Sequence, residues 1–244
     1  VITFQKEAPI SRDLADNLIN PRGIALTDAW HPIPEKEMLF KLTAGIPADF
    51  EAVSEADAII ADPSPEGKRV TFRFDHPLRM IHFAAGPYVV NRVSFSPGKD
   101  LFTYFFPEDQ GLADAYLAKA YHFLNRYETL FGPYPFRRFS VVENRLPTGF
   151  AVPTFTLLGQ AVVRLPFIKD TSLGHEVLHA WFGNGVKVSR KEGDWAEGLT
   201  TYLADQAFAR DQDRDLSFRK AQLVEYMSYV HEENAMTLKD FVGA

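Results

Sequence analysis

The 244-residue sequence contains no cysteine, which excludes a disulfide framework and any thiolate chemistry. Basic residues are in the minority: 26 lysines and arginines stand against 32 aspartates and glutamates. The formal net charge is therefore −6, and the pI is near 5.7. Because nucleic-acid binding requires a concentrated basic surface, this balance argues against a nucleic-acid partner.

A long uninterrupted hydrophobic run is also missing. The most apolar region, residues 150–168, contains Gln160, Arg164 and two prolines, whereas a membrane-spanning helix needs about 20 mainly apolar residues. We therefore expect no transmembrane segment. Apolar residues make up 46% of the chain, which suits a well-buried core in one large domain or two modest ones.

One motif carries recognisable chemistry: the run His175-Glu176-Val177-Leu178-His179, followed later by Glu197. Histidines four residues apart lie on one face of a helix, where both imidazoles can reach a zinc ion at about 2.0–2.1 Å. Glu176 points beside that pair and is poised to take a proton from a metal-bound water. A catalytic zinc site needs a third protein ligand, and Glu197 is the best candidate, since residues 180–196 are enough chain to end one helix and begin another near Asp194.

The alternative to a metal site is an amphipathic helix whose histidines are partly buried and hydrogen bonded to the backbone. Asp205, two turns after Glu197, can orient a ligand histidine or belong to a solvated helix face. The remaining histidines near strands, His31, His76 and His82, show no ligand spacing, and we interpret them as structural or exposed.

The residues around the motif resemble the gluzincin metallopeptidases of the alanyl aminopeptidase and leukotriene hydrolase type. The shared residues are His175-Glu176-x-x-His179-x-Trp181-Phe182-Gly183-Asn184, Trp195-x-Glu197-Gly198 and, upstream, Phe131-Gly132-x-Tyr134-Pro135. The resemblance implies zinc bound by His175, His179 and Glu197, with Glu176 as the general base for peptide hydrolysis. The spacing from His179 to Glu197 is one residue shorter than is usual in that family, which a trimmed connecting loop explains.

Two parts of the chain differ in pattern, which predicts an α+β fold. Residues 1–106 contain short runs typical of strands, separated by turn residues, and predict a β-rich sandwich or saddle; the runs are 24–27, 38–42, 69–74 and 89–95. Residues 107–244 predict helices at 112–130, 199–209 and 216–229, with strands at 139–143 and 149–158.

The resemblance implies that the first part is the later half of an amino-terminal β domain and the second a thermolysin-like catalytic domain, truncated at its carboxy-terminal end. The transition-state-stabilising tyrosine of the family is expected beyond Ala244. Neither Tyr226 nor Tyr229 matches a motif for that role.

The family binds peptides along a strand that carries Gly-Ala-Met-Glu-Asn, whose glutamate holds the free amine of the substrate. An ungapped placement puts Gly149 on the glycine and Val152 where the glutamate belongs. Valine cannot hold an ammonium group, but the backbone around Gly149, Ala151 and Val152 can pair with an extended peptide. We interpret Glu143 as a surface or strand-end carboxylate rather than as a substitute for the missing glutamate.

These patterns predict zinc-dependent, aminopeptidase-like hydrolysis of peptide bonds, with the choice between exopeptidase and endopeptidase action left open. A non-catalytic or truncated zinc-holding fragment that acts as a peptide-binding module is the alternative. A third hypothesis is hydrolysis of a non-peptide substrate, because the leukotriene branch of the family adds epoxide chemistry on the same metal site. Side-chain preference, compartment and oligomeric state are not predicted.

Overall fold

The computed structural model describes residues 17–147, 149–189 and 193–241, and its amino-terminal part is a sandwich of two antiparallel sheets. One sheet has the order β1-β2-β7-β4, formed by Asn17–Asn20, Gly23–Leu26, Phe83–Gly86 and Glu51–Ser54. The other has the order β3-β6-β5, formed by Lys41–Ile46, Gly67–Arg73 and Ala58–Ser64. Phe72 and Phe83 meet edge to face between the sheets, so the predicted β-rich sandwich is confirmed.

A five-stranded mixed sheet follows, with the order β11-β12-β10-β9-β8. Its strands are β8 (Val89–Ser96), β9 (Lys99–Phe105), β10 (Arg138–Asn144), β11 (Gly149–Val152) and β12 (Phe155–Gly159). The central strand β10 pairs in parallel with both neighbours, and β11 lies at one edge. The domain boundary at residue 106 stays a prediction; β8 and β9, which precede it, belong to the same sheet as β10.

Helices follow in the second half of the chain, and the longest of them, α1, packs on this sheet. They are α1 (Ala113–Phe131), α2 (Gln160–Val163), α3 (Ser172–Leu178), α4 (Ala196–Thr200), α5 (Ala207–Arg210) and α6 (Asp215–Tyr229). Short 3-10 turns cover Pro107–Leu112 and Ile168–Asp170, and a π-helix, Thr201–Gln206, joins α4 to α5. Two short strands, β13 (Phe182–Gly183) and β14 (Val186–Lys187), follow α3. Within the described ranges, none of the helices has the length and apolar character needed to cross a membrane.

The spacing of Leu117, Ala120, Tyr121, Leu124 and Tyr127 predicts one apolar stripe along α1. Four of these residues are buried, but Tyr121 is 40% exposed. Its ring rests at the edge of the core against Phe95 on β8, at a centroid distance of 5.2 Å.

The prediction of one strand over residues 149–158 was also wrong, because two strands form there. Val152 pairs with Phe155, so β11 and β12 make a hairpin whose turn is Pro153-Thr154. Thr154 has a φ of 77°, and the proline has no N–H to donate to a continuing ladder. The hairpin leaves β11 as an edge strand beside the helix that carries the histidine motif.

Glu143 is fully buried, so its interpretation as a surface carboxylate was wrong, although it does lie near the end of β10. Its Oε2 accepts a hydrogen bond from the Phe106 N–H at 2.8 Å, and Oε1 has no hydrogen-bond partner in the described part of the chain. Burial raises the pKa of Glu143 to about 8; the Phe106 N–H lowers it, and the neighbouring Asp109 raises it. The folded protein therefore holds this carboxyl group in its protonated form at neutral pH.

Because of this raised pKa, stability is expected to fall as the pH rises from about 5 to 8. Across that window the unfolded side chain, with its ordinary pKa near 4.3, has lost a proton that the folded one keeps. Glu143→Gln has no carboxyl group to titrate at this position. Between pH 5 and pH 8 the free energy of unfolding should therefore fall less in the variant than in the wild type, by a few kcal/mol. Denaturant unfolding at pH 5 and pH 8 measures the difference. Glu66→Gln, at an exposed turn, is the matched control, and parallel curves for the wild type and Glu143→Gln would contradict the prediction.

Candidate metal centre

Helix α3 is held by close packing on its buried face. Leu173, Val177 and Leu178 are fully buried, as their spacing predicts. Gly174 allows the helix to approach its neighbours, because a Cβ there would lie only 2.5 Å from the ring of Phe208. The Gly174 carbonyl accepts a hydrogen bond from the Tyr127 hydroxyl of α1 at 3.0 Å. The opposite face of the helix is left to carry His175 and Glu176, and His179 follows at the C-cap.

The upstream segment that contributes to the family resemblance fixes the end of α3. Trp181, just beyond the helix, donates its indole N–H to the carbonyl of Gly132 at 3.0 Å. Its ring packs edge to face against Tyr127 and Tyr134, at centroid distances of 5.9 and 5.5 Å. The segment after α1 and the histidine helix are therefore parts of one packed unit, although about 50 residues separate them.

The structure brings His175, His179 and Glu197 together. The two Nε2 atoms are 3.2 Å apart. Glu197 lies with Oε2 at 3.4 Å from Nε2 of His175 and Oε1 at 3.1 Å from Nε2 of His179. Donors that bind zinc tetrahedrally at 2.0–2.1 Å are about 3.3 Å from one another, so the spacing of these three groups fits one zinc ion.

The other nitrogens of the two imidazoles are already engaged. Nδ1 of His175 is 2.8 Å from Oδ2 of Asp205, and Nδ1 of His179 is 3.1 Å from the carbonyl oxygen of Phe182. Each ring therefore donates from Nδ1, which leaves both Nε2 lone pairs and the Glu197 carboxylate facing one another. Three acceptors that face one another can share one cation, so this donor set favours a metal over histidines satisfied by the backbone.

Burial and neighbouring charges shift the pKa values of the titratable groups at the site in different directions. Burial lowers the pKa of His175, but the hydrogen bond and charge of Asp205, with Glu176 and Glu197, outweigh it and raise the pKa overall. Burial lowers the pKa of His179. Burial raises the pKa of Glu176 to about 7, because removal from water disfavours the carboxylate. The carboxylates create a negative field that attracts a cation to the histidines.

The π-helix explains how Asp205 reaches His175. Eight residues of α-helix rotate about 800°, which would leave Asp205 about 80° away from the face of Glu197. The wider turns of the π-helix, Thr201–Gln206, rotate less per residue and bring Asp205 back toward that face. The predicted orienting role of Asp205 stays a prediction, but its carboxylate lies within hydrogen-bonding distance of the ring it was expected to orient.

Asp205→Asn is expected to weaken zinc binding about 10- to 100-fold, because an amide orients the His175 ring without the charge that strengthens its donor atom. Competition with a chromophoric chelator measures this affinity. Asp211→Asn is the matched control, since Asp211 lies further along the same helical stretch and pairs only with Arg126 among the described residues. Equal affinities for the wild type and Asp205→Asn would rule out the orienting role.

The three groups open onto a cleft of about 660 Å³. Glu176 lines it, as do Gly149, Ala151 and Val152, the residues predicted to bind substrate. The opposite wall comes from the amino-terminal sandwich. Of the described residues that line the cleft, none is a tyrosine, and Tyr226 and Tyr229 are exposed on α6.

The opposite wall includes Glu55, Arg79 and His82, which no pattern in the sequence marks as cleft residues. His82 was interpreted as structural or exposed, yet its ring lines the cleft and its side chain is only 14% exposed. Glu55 follows the end of β4, and Arg79 and His82 lie 24 and 27 residues later in the loop before β7. Only folding brings these segments together, so the sequence shows no spacing that would indicate a shared site.

A comparison with protein-family profiles finds no match. Among curated proteins, the chain is 34% identical over 85 residues to the aminopeptidase RNPEPL1 of human and mouse, which covers 32% of this chain and 11–12% of those proteins. Among solved structures, a mutant M1 zinc metallopeptidase from Deinococcus radiodurans superposes with a TM-score of 0.65 at 18% identity, covering 94% of this chain and 59% of that one. Native LTA4 hydrolase from yeast superposes with a TM-score of 0.61 at 16% identity, covering 84% and 34%.

The chain therefore spans about a tenth of the length of the curated relatives and between a third and three fifths of these solved structures. The predicted α+β architecture is confirmed by these superpositions, which cover most of the chain. The resemblance found in the sequence is confirmed at the level of structure as well: this chain has the fold of the M1 zinc metallopeptidases.

Proposed function

We propose that this protein catalyses zinc-dependent hydrolysis of peptide bonds and acts as an aminopeptidase-like enzyme. The observation that carries the proposal is the convergence of His175, His179 and Glu197 at mutual distances of 3.1–3.4 Å, on the wall of a cleft that Glu176 also lines. This is the donor set and open setting that a catalytic zinc site needs.

His175, His179 and Glu197 would hold the metal. Zinc, when bound, polarises the scissile carbonyl group and lowers the pKa of water. Glu176 acts as the general base: it removes a proton from the attacking water and then passes it to the leaving amine. Asp205 and the Phe182 carbonyl keep the imidazoles in the tautomer that leaves Nε2 free to bind metal.

The peptide lies along β11 in this proposal. That strand is at the edge of its sheet, and its residues Gly149, Ala151 and Val152 line the cleft. Backbone pairing with an edge strand holds an extended peptide without selecting its side chains. A mutant of the Deinococcus radiodurans enzyme, which shares the fold, has been solved with a Tyr-Ser-Ala substrate bound.

Removal of the amino-terminal residue is a more specific part of the proposal. It needs a test of its own, because Val152 offers no charge to the ammonium group of a substrate. Fluorogenic peptides with free and acetylated amino termini test it, with zinc content measured on the same sample. We expect cleavage that a chelator abolishes and zinc restores, and loss of cleavage on acetylation. Zinc-loaded protein that cleaves no peptide of the panel would overturn the hydrolytic proposal, and equal cleavage of both forms would overturn the exopeptidase part.

The second candidate function is a zinc-holding peptide-binding module without catalysis. Val152 and the absence of tyrosine from the described lining of the cleft favour it. It predicts that zinc-loaded protein binds unlabelled peptides by calorimetry but does not cleave them. Cleavage at a zinc-dependent rate excludes it.

A further inference from the structure

One guanidinium group in the cleft has no acidic partner. Arg79 is partly buried and lines the cleft, and its Nε donates a hydrogen bond to the Pro34 carbonyl at 3.4 Å. Among the described residues, no carboxylate lies within ion-pair distance of it. Lys187, another cation of the cleft, pairs with Glu37 at 2.6 Å. An arginine that lines a cleft without a counter-charge has guanidinium N–H groups available to an anionic ligand.

A second polar residue, His82, follows Arg79 by three positions in the sequence and lines the same cleft. Its Nδ1 is 2.6 Å from Oε1 of Glu55, and its backbone N–H donates to Oε2 at 2.9 Å. Oε2 of Glu55 also accepts a hydrogen bond from the Ser54 hydroxyl at 3.3 Å. Glu55 is 3% exposed, so its carboxylate is committed to these donors and is not free to neutralise Arg79. The His82 Nε2 has no partner among the described residues.

The segment that carries both side chains is fixed to the sandwich. Leu78 exchanges two backbone hydrogen bonds with Met38, at 2.8 and 2.9 Å, and the Ile81 N–H donates to His31 Nε2 at 3.2 Å. The His82 ring also lies 5.7 Å from the ring of Phe150 on β11. The backbone that carries Arg79 and His82 is therefore held in place, and the His82 ring borders the strand along which the proposed substrate lies.

We propose that Arg79 binds a carboxylate group of the peptide substrate in the cleft that His82 also lines, which gives the cleft a preference for peptides that present an anion there. This inference rests on the proposed function. The planar guanidinium binds a carboxylate through two parallel hydrogen bonds. The carboxylate is either the carboxy terminus of a short peptide or an acidic side chain. Recognition thereby shifts away from the amine end, where Val152 provides no charge.

Four peptides of equal length distinguish a carboxy terminus from an acidic side chain as the source of the carboxylate. Two have a free carboxy terminus and two an amidated one, and within each pair one peptide has glutamate and the other glutamine at the same position near the scissile bond. Binding is measured by calorimetry to zinc-loaded Glu176→Gln protein, which prevents turnover, with and without the additional change Arg79→Gln. We expect Arg79→Gln to weaken binding of the carboxylate-bearing peptides about 10- to 100-fold, the range for hydrogen bonds to charged groups. Lys187→Gln, the matched control, removes a cation that already has a partner and should change binding less than about threefold.

The results discriminate among the possibilities. A loss confined to peptides with a free carboxy terminus assigns the site to that terminus, and a loss confined to glutamate-containing peptides assigns it to a side chain. Equal losses on all four peptides, or none, overturn the proposal. Arg79→Lys, which keeps the charge but not the planar fork, should show an intermediate loss, and thermal melting checks that each variant is folded. Wild-type cleavage of the same peptides is scored separately: Arg79-dependent binding without cleavage refutes the hydrolytic proposal alone.

Discussion

Glu176→Gln is expected to lower kcat for peptide cleavage by about 10²- to 10⁴-fold, the contribution typical of a positioned general base. Glutamine has nearly the shape of glutamate but cannot accept the proton from the attacking water. The carboxylate of Glu176 is not part of the group formed by His175, His179 and Glu197, so zinc content should be unchanged. Steady-state kinetics and metal analysis on the same preparation test both statements.

The control for this experiment is Glu37→Gln, which removes another carboxylate from the same cleft. Glu37 pairs with Lys187 on the cleft wall and has no contact with the histidines among the described residues. Its loss should leave kcat within a few-fold of the wild type. A Glu176→Gln variant that cleaves peptides at the wild-type rate would refute the assignment of the base, whatever its zinc content.

The parts of the site that follow from helix geometry could be predicted from the sequence. An i, i+4 spacing places His175 and His179 on one face of any helix, and the apolar residues between them determine which face is buried. Glu197 could be proposed because the intervening chain has the length of a turn between two helices. The extent of α1 could be predicted in the same way, because its observed bounds differ from the predicted 112–130 by one residue at each end.

The parts that depend on long-range packing could not be predicted. The burial of Glu143 depends on the neighbouring strands and on Phe106, 37 residues earlier. The π-helix before Ala207 has no signal in the sequence, although it decides where Asp205 points. The Glu55–His82 pair joins two segments of the sandwich that only the folded chain brings together. Each case concerns a polar group whose environment is set by tertiary contacts rather than by its neighbours in sequence.

The convergence of three acceptors on one point leads to a prediction about stability. A metal that binds only the folded state stabilises it by RT ln(1 + [L]/Kd), about 4 kcal/mol when free zinc is 1,000 times Kd. For a chain of 150–250 residues, each kcal/mol raises Tm by about 2–4 °C. Zinc added to metal-stripped wild-type protein at that excess should therefore raise Tm by about 8–16 °C in a calorimetric scan.

His179→Ala should abolish most of this increase. The variant removes one of the three proposed zinc ligands. Nε2 of His175 and the Glu197 carboxylate, which are 3.4 Å apart, remain as the other two. Glu176→Gln should keep the full increase, because that residue is assigned to catalysis and not to metal binding. His122→Ala removes an exposed histidine of α1 far from the cleft motif in sequence, and it should also keep the increase. Because metals also bind exposed histidines, an equal loss in His122→Ala and His179→Ala would mean that the zinc effect is non-specific and does not report on the proposed centre.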